Sequence, residues 1–495
     1  MILTPEDDNQ LKERGLTAID LFRQIELFTK QTKPLKLERP CSINDGITAL
    51  STSECKQLVE YYESHTQGKE IIAFIPASGA ASRMFKHLHN YSSDMDNDLT
   101  EEFILHFQHF PFVDKLAEVM AANGISLEEE IKQDNWQLIF DYILSARGLN
   151  YDGQLKGMVL FHKYDTGCRT AFEEHLHEFI RYGKQSDGKC RLHFTIAPQH
   201  LESVKEFMNG VVAQFPYEEI ELTYSVQDSK TDTIALNRDN EPVRDSAGRL
   251  VFRPGGHGAL IQNLENLSAD IIFIKNIDNV TTSKQADDTV FYKKILGGLL
   301  LQLKEQVNNY LNELDAGNES ILEEVLEFIH DRFQPGIPIG MNTEQLMQYA
   351  KLRLDRPLRV CGMVRNQGEP GGGPFWVRVP GGYFSKQIVE KSQLESDNVQ
   401  QMKIFNSSTH FNPVDIACSI RKRDGSNYKL ENFVDYSTGF ISEKFQQGHI
   451  VKALELPGLW NGSMALWNTV FVEVPVSTFN PVKTVNDLLR PGHQN

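Results

Sequence analysis

Residues Ile71 to Pro76 form an unbroken apolar run, I-I-A-F-I-P, that opens directly into the small-residue stretch A-S-G-A-A-S-R-M-F-K from Ala77 to Lys86. A short run with no polar face predicts a strand buried on both sides, the arrangement of a parallel sheet with helices packed on its faces. Leu192 to Ala197 and Ile220 to Ser225 are further strand candidates, and Gln199 to Phe215 between them reads as helix. Ile271 to Lys275, I-I-F-I-K, repeats the buried-strand pattern. This β-α-β rhythm predicts an α/β fold built on a Rossmann-like doubly wound mixed sheet.

Helical stretches surround that frame. Thr4-Pro5-Glu6-Asp7 has the marks of a helix start: a capping Thr, Pro in the first turn and an acid three residues after the cap. Residues 8 to 65 read as helical apart from a break near Pro34 to Gly46, and residues 87 to 150 read as helical and acidic. Residues 290 to 333 are also helical, with S-I-L-E at Ser320 to Glu323 as a capping box. Asp94, Asp96 and Asp98 imitate the start of a calcium loop, but Leu99 stands where the turn glycine belongs, so they mark a helix N-terminus instead. Strands return from Leu358, and V-F-V-E-V-P from Val470 to Pro475 is the last.

Charge excludes some partners. The chain carries 50 Lys and Arg against 67 Asp and Glu, a net charge of −17. Non-specific binding to nucleic acid or to an anionic membrane needs a basic surface, so neither is expected. The six cysteines, Cys41, Cys55, Cys168, Cys190, Cys361 and Cys418, are widely spaced with no C-x-x-C pair and read as reduced thiols. The opening M-I-L-T-P-E-D-D lacks the pattern of a signal peptide, and no apolar run approaches a membrane span; the expected location is the cytoplasm.

Four motifs have chemistry to offer. In the loop after the first strand, Ser78, Gly79 and Ala80 let backbone N–H groups approach phosphate oxygens. A helix following the loop would add its positive end, with Arg83 and Lys86 to neutralise charge. The loop is neither G-x-x-x-x-G-K-S/T nor G-x-G-x-x-G. Lys156, just before the apolar M-V-L-F, can aim one ammonium at a phosphate; the acids and histidines Glu173, Glu174, His175, His177 and Glu178 spread over several faces of the next helix and read as packing, not metal ligands. The F-R-P-G-G-H-G-A-L stretch places Gly255, Gly256 and Gly258 around His257, permitting close approach of a flat base. Asp278, at the carboxyl end of a buried strand, sits where open α/β sheets bind ligands and where Mg²⁺ would find a carboxylate; capping of the next helix is the structural alternative.

In this order the motifs resemble the nucleoside-diphosphate-sugar pyrophosphorylases, through Gly79, Arg83, Lys156, Gln227, Gly255 to Gly258 and Asp278. The G-H-G loop followed by I-F-I-K-N-I-D-N is similar to the UDP-sugar pyrophosphorylase branch. At finer grain the chain resembles a bacterial family of unknown function, domain of unknown function family 4301. Its marks are P-A-S-G-A-A-S-R-M-F-K, G-E-P-G-G-G-P-F-W-V, T-H-F-N-P-V-D and L-P-G-L-W-N-G-S-M-A-L-W-N-T. The usual G-x-G-T-R loop reads G-A-A-S-R here, and Lys156 follows Arg83 by 73 residues instead of a short gap.

The resemblance implies a fold of the nucleotide-diphospho-sugar transferase type with a helical N-terminal segment and helical insertions. The implied organisation is a helical segment at 1–70, a core at 71–295 with an insertion at 87–155, a helical insertion at 296–355, and a second part of the core with an acceptor-side region at 356–495. Arg83 and Lys156 become catalytic, while Ser78, Gly79, Ala80, Gln227, Gly255, Gly256, His257 and Gly258 bind the nucleotide. Glu369, Asn412, Lys452 and Asn461 face the acceptor, and Asp278 and Asp415 hold Mg²⁺. The implied partners are a nucleoside triphosphate and a small phosphorylated acceptor, a sugar 1-phosphate above all, joined with release of pyrophosphate. The altered loop leaves open a catalytically inactive sugar-nucleotide-binding protein of the same fold, and the large insertions leave open a transferase for a non-sugar phosphorylated alcohol.

Overall fold

The computed structural model describes residues 3–29, 34–89, 91, 98–333, 336, 338–369, 371–379, 383–446 and 449–495. The chain divides into two compact units, one of residues 1–65, 227–271 and 296–474, the other of 66–226, 272–295 and 475–495.

In the first unit the helix Pro5–Glu13 starts as the sequence predicts, with Thr4 and Asp7 bonding each other's backbone in a capping box. Its buried face, with Leu11, packs beside Leu16, Leu21 and Phe28 onto Ile234, Leu236, Leu250 and Leu454. The last four lie on or beside a four-stranded sheet ordered Phe252–Arg253, Thr233–Leu236, His449–Glu455, Phe440–Gln446. Asp7 fastens the same helix through a bidentate bond from Arg244, at 2.8 Å to each oxygen. The predicted break at 34–46 holds short strands, Leu37–Pro40 and Ser42–Ile43, and a third begins at its end, Gly46–Thr48. Leu37 is buried against Phe375 and Val377, which draws this segment into sheet pairing with Gly373–Arg378.

The longer strands of this unit run in the order Gly46–Thr48, Asn468–Glu473, Leu358–Arg365, His410–Ser419. The first three are parallel and the last is antiparallel to its neighbour, so the sheet is mixed. The capping box expected at Ser320 is not formed. Asn318 caps a short turn, Glu319–Ile321, instead; Ser320 lies inside that turn, with its hydroxyl donating to Asn318 Oδ1 at 2.6 Å, and so does not stand at a helix start.

The second unit carries the first strand at its predicted bounds, Ile71–Pro76, with Ile71 to Ile75 buried. Lys189–Thr195 lies parallel to it and Glu219–Ser225 parallel to that. Ile271–Ile274 neighbours Ile71–Pro76 on the other side. The helix between the outer strands runs Leu201–Val212, entered through a tight turn at Pro198–His200, a start set by proline's fixed φ. Residues 98–155 are largely helical and organise around aromatic rings, with Phe103 stacked on Phe110 at 4.5 Å and Phe85 on Tyr151 at 5.3 Å. Asp98 opens the helix Asp98–Leu105, whereas Asp94 and Asp96 lie outside the described residues. Among the described residues no helix is long and apolar enough to cross a membrane. All six cysteines are free.

Candidate active site

The second unit closes the 73-residue gap between Arg83 and Lys156 with backbone hydrogen bonds. Ala81 N–H donates to Gln154 O at 3.0 Å, Lys156 N–H donates to Gly79 O at 2.9 Å, and Ala80 and Leu155 form an isolated antiparallel bridge. The stretch between them therefore leaves and returns at one place. Ser78, Gly79 and Ala80 are exposed at the carboxyl end of the buried strand, as a ligand loop should be.

One expected feature is replaced. No long helix follows the loop: there is a single 3₁₀ turn, Ala81–Arg83, without a side-chain cap, then the four-residue helix Lys86–His89. Ala81, Met84, Phe85 and Leu88 are buried at the spacing of one helix face, yet the chain there takes a 3₁₀ turn and then only a short helix. A helix dipole consequently adds little here, and Arg83 and Lys86 are exposed charges.

Lys156 turns inward. Its Nζ lies 2.8 Å from Asp278 Oδ2, and both side chains are largely buried. A second ammonium, Lys483, donates to the same oxygen at 2.9 Å and is half-exposed. Two ammonium groups against one carboxylate leave a surplus of positive charge at the end of the sheet. Burial pushes the Lys156 ammonium below its ordinary range, and Asp278 offsets part of that shift. Burial alone would raise the Asp278 carboxyl; Lys156 and Lys483 outweigh it and hold it below the usual carboxylate range.

The backbone around Asp278 is fixed from two directions. His175, on the helix Ala171–Gly183, has Nε2 3.1 Å from the carbonyl of Ile277. From the C-terminal segment, Val482 N–H donates to Asp278 O at 3.0 Å and Asn480 N–H to Asn279 Oδ1 at 2.9 Å. Lys483 is held in turn by Asp487, whose Oδ2 accepts the N–H groups of Lys483 and Thr484, each at 2.7 Å. The other acids and histidines of the 171–183 helix are also engaged: Glu178 binds the buried Lys275 at 2.6 Å, and Glu174 accepts the Tyr164 hydroxyl at 2.6 Å. They pack and pair, as the sequence suggested.

The fit to a divalent cation rests on Asp278. Its Oδ1 is buried without a hydrogen-bond partner among the described residues, while Oδ2 is taken by the lysines. Among the described residues no group of three His, Cys, Asp or Glu is placed to hold a metal. This donor set suits an ion such as Mg²⁺ that arrives with phosphate oxygens and needs one or two carboxylates, not an all-protein cage. Asp415, the second expected ligand, belongs to the first unit, where it is buried opposite Gly362.

The remaining expected site residues all lie in the first unit. Gln227 Nε2 bonds Thr231 Oγ1 at 3.3 Å, at the turn that enters the strand Thr233–Leu236. Gly256 has φ +77°, and a Cβ there would meet the Glu455 carboxylate, so only glycine serves. His257 Nδ1 accepts the N–H of Leu459 at 3.1 Å, which places the imidazole proton on Nε2. Its ring lies 4.4 Å from that of Trp460. Burial holds His257 below its ordinary range, so it is neutral.

Asn461 is buried beside this pair at the start of the turn Gly462–Met464. Lys452 donates to Arg238 O at 3.0 Å and to Asn240 Oδ1 at 2.9 Å, anchoring a hairpin turn. The loop carrying Glu369 and the strand carrying Asn412 meet: Asn412 N–H donates to Gly372 O at 2.8 Å and Asn366 N–H to Thr409 O at 3.0 Å. Lys483 was missed by sequence reasoning, because it sits in an irregular segment with no glycine turn or strand to flag it.

No curated protein matches the chain by sequence. A UDP-N-acetylglucosamine pyrophosphorylase from Trypanosoma brucei, solved with an inhibitor, superposes with a TM-score of 0.50 at 13% identity, over 95% of this chain and 74% of that one. A UDP-glucose pyrophosphorylase from Leishmania major superposes at 0.45 and 12% identity, over 99% of this chain and 79% of that one. At such identity the Trypanosoma likeness establishes a shared mixed α/β fold and nothing further. The model of a domain of unknown function, DUF4301, matches residues 4–494, and the chain belongs to that family.

Proposed function

We propose that the protein is a nucleotidyltransferase of the pyrophosphorylase type, joining a nucleotide from a nucleoside triphosphate to a phosphorylated acceptor, a sugar 1-phosphate above all, with release of pyrophosphate. The observation that carries the reading is the convergence of Lys156 and Lys483 on Asp278 Oδ2, with Lys156 strapped by its own backbone to the exposed Ser78–Ala80 loop.

In the proposed reaction an acceptor phosphate oxygen attacks the α-phosphorus in line. The new P–O bond forms as the bond to the β-phosphate bridging oxygen breaks, and the electron pair leaves with pyrophosphate. The chain's work is positioning and charge neutralisation. Loop N–H groups at Ser78 to Ala80 cradle phosphate oxygens. Lys156 and Lys483 offset the charge gathering on the α-phosphate and the leaving group, and exposed Arg83 extends the cationic surface. Asp278 keeps both ammonium groups aimed at one place, and its Oδ1 is the oxygen available to Mg²⁺, which would supply further charge stabilisation at the phosphates. Gln227 and the Gly255–Gly258 loop are the proposed base readers, and Glu369, Asn412, Lys452 and Asn461 the proposed acceptor residues.

The test is pyrophosphate release from each nucleoside triphosphate with a panel of sugar 1-phosphates and phosphorylated alcohols. Lys156→Ala and Lys483→Ala should each lower turnover by ~10²–10³. Turnover confined to the alcohols would favour the non-sugar transferase. Nucleotide binding with no pyrophosphate from any acceptor would favour the inactive binding protein, and turnover within a few-fold of wild type in both variants would remove the lysines from the chemistry.

A further inference from the structure

The C-terminal segment that delivers Lys483 also carries a buried histidine. His493 is 2% exposed, and its Nδ1 lies 2.8 Å from Nε2 of His162, which is fully buried on the strand Leu160–Tyr164. The other nitrogen of His162, Nδ1, lies 2.9 Å from Glu174 Oε1. The chain thus builds a Glu174–His162–His493 file inside the second unit. Elsewhere along the segment, Gly492 O accepts Thr281 Oγ1–H at 2.7 Å and Thr282 N–H at 3.2 Å, and Pro491 O accepts from Gln285 Nε2 at 2.7 Å. Position 492 must lack a side chain, since a Cβ would run into Asn480 of the same segment.

We infer that the His162–His493 contact is a pH-sensitive anchor that docks residues 480–493 and thereby positions Lys483 on Asp278. The value of Lys483 for catalysis rests on the function proposed above; the anchoring itself does not. An apolar plug would bury at lower cost but could slide, whereas an N–H···N bond between two confined rings fixes one register. The register matters because Lys483 and His493 lie on one short segment, each bonded to a different part of the unit.

The anchor works only when the two rings share one proton. The Glu174 oxygen beside His162 Nδ1 favours the His162 proton on that nitrogen, leaving Nε2 to accept from His493. A further proton would place two cations in contact. Tyr164 and Arg169 face Glu174: the Tyr164 hydroxyl bonds it, and Arg169 Nη1 lies 3.7 Å from Oε2 while stacking over the Tyr164 ring at 4.1 Å. On the segment itself the nearby charge is Arg490, paired with Asp487 at 2.8 Å. Burial, then His162 and Arg490, push His493 down to about 3. Its docked value lies below its undocked one, so docking is complete above pH ~6.5 and weakens about tenfold for each pH unit below that.

Hydrogen exchange of the full chain between pH 8 and 5.5, corrected for intrinsic rates, reads the anchor. Peptides from 478–495 should lose protection about tenfold per unit below pH 6.5, while the strands at 71–76 and 189–195 keep theirs and report an intact fold. His493→Gln should lower protection at pH 8 and remove the pH slope. Thr281→Val, which loosens the same segment without removing a titrating group, should lower protection and keep the slope. Acetylation of Lys483 by acetic anhydride should rise several-fold in His493→Gln, with the surface residue Lys205 as internal control. A wild-type slope in His493→Gln overturns the anchor. Raised exchange with unchanged Lys483 labelling overturns the positioning. Neither readout requires nucleotide, so failure of the transferase assay leaves both decisive.

Discussion

Lys156 and Lys483 donate to one oxygen of Asp278, at 2.8 and 2.9 Å. The carboxylate is the counter-ion that lets two ammonium groups stand together at a buried strand end. Asp278→Asn keeps the shape and removes the charge. The two lysines would then repel across a neutral amide, at a cost on the order of 2 kcal/mol, below that of a fully buried broken pair because Lys483 is half-exposed. Added pyrophosphate should stabilise Asp278→Asn more than wild type in urea melts. Equal stabilisation of the two proteins would show that the lysines do not meet the anion.

The pH dependence of stability follows from two depressed carboxyls. Arg244 holds Asp7 down to about 2, against 3.8 in the unfolded chain; Lys156 and Lys483 hold Asp278 below its unfolded value. A group with a lowered folded pKa contributes fully above its unfolded pKa and loses that contribution as pH falls through the folded value. Both contributions are therefore complete at pH 5 and decline below pH ~4. The Asp7 share is on the order of 1 kcal/mol after allowing for screening at the partly exposed Arg244. Arg244→Ala should remove that share at pH 6, and the gap to wild type should narrow as pH approaches 2. A constant gap in acid unfolding would show that Asp7 titrates normally.

His257 serves the backbone with one nitrogen, accepting from Leu459 N–H at 3.1 Å, and packs its ring near Trp460. His257→Phe retains the ring and loses the acceptor. Leaving that N–H unpaired should cost about 1–3 kcal/mol. If the loop also reads a base, the variant should lose nucleotide-dependent thermal shift at temperatures where it is still folded. A stability loss with an unchanged shift would make the loop purely structural.

The apolar runs made the frame of the second unit legible, since burial on both faces leaves a continuous signal, and Ile71–Pro76 is found at its predicted bounds. Asp278 was legible for the same reason, as the first acid after such a run. The loop from Ser78 to Ala80 showed in its small residues, but its exit did not: Ala81, Met84, Phe85 and Leu88 have the spacing of one helix face, whereas the chain there is a 3₁₀ turn followed by a short helix. Lys156 was identified from its place before a strand, yet its link to Gly79 depends on an antiparallel bridge across an insertion, which leaves no periodic trace. Lys483 and His493 were invisible because their positions are set by single hydrogen bonds to distant residues, Asp278 and His162. The roles expected of Asn412 and Glu369 pointed to two motifs that do meet, through Gly372, although neither motif alone implied the other.

That meeting point carries backbone strain. Val414 adopts φ +60°, a left-handed conformation costly for a β-branched residue, within the bulge where His410–Ser419 slips against Leu358–Arg365. Asn412 stabilises it by accepting the Val414 N–H at 3.2 Å. In an ordinary strand, glycine is worse than alanine by roughly 0.5–1 kcal/mol. At Val414 the order should invert, because alanine keeps a left-handed penalty of ~1–2 kcal/mol that glycine avoids. Both variants lose similar apolar burial, so the comparison isolates the backbone. Val414→Gly should therefore be the more stable by about 1 kcal/mol in urea denaturation. At Val470, an equally buried position in the parallel strand Asn468–Glu473, Val470→Ala should be the more stable. The same order at both positions would mean that Val414 relaxes to a right-handed conformation in solution and that the bulge stores no strain.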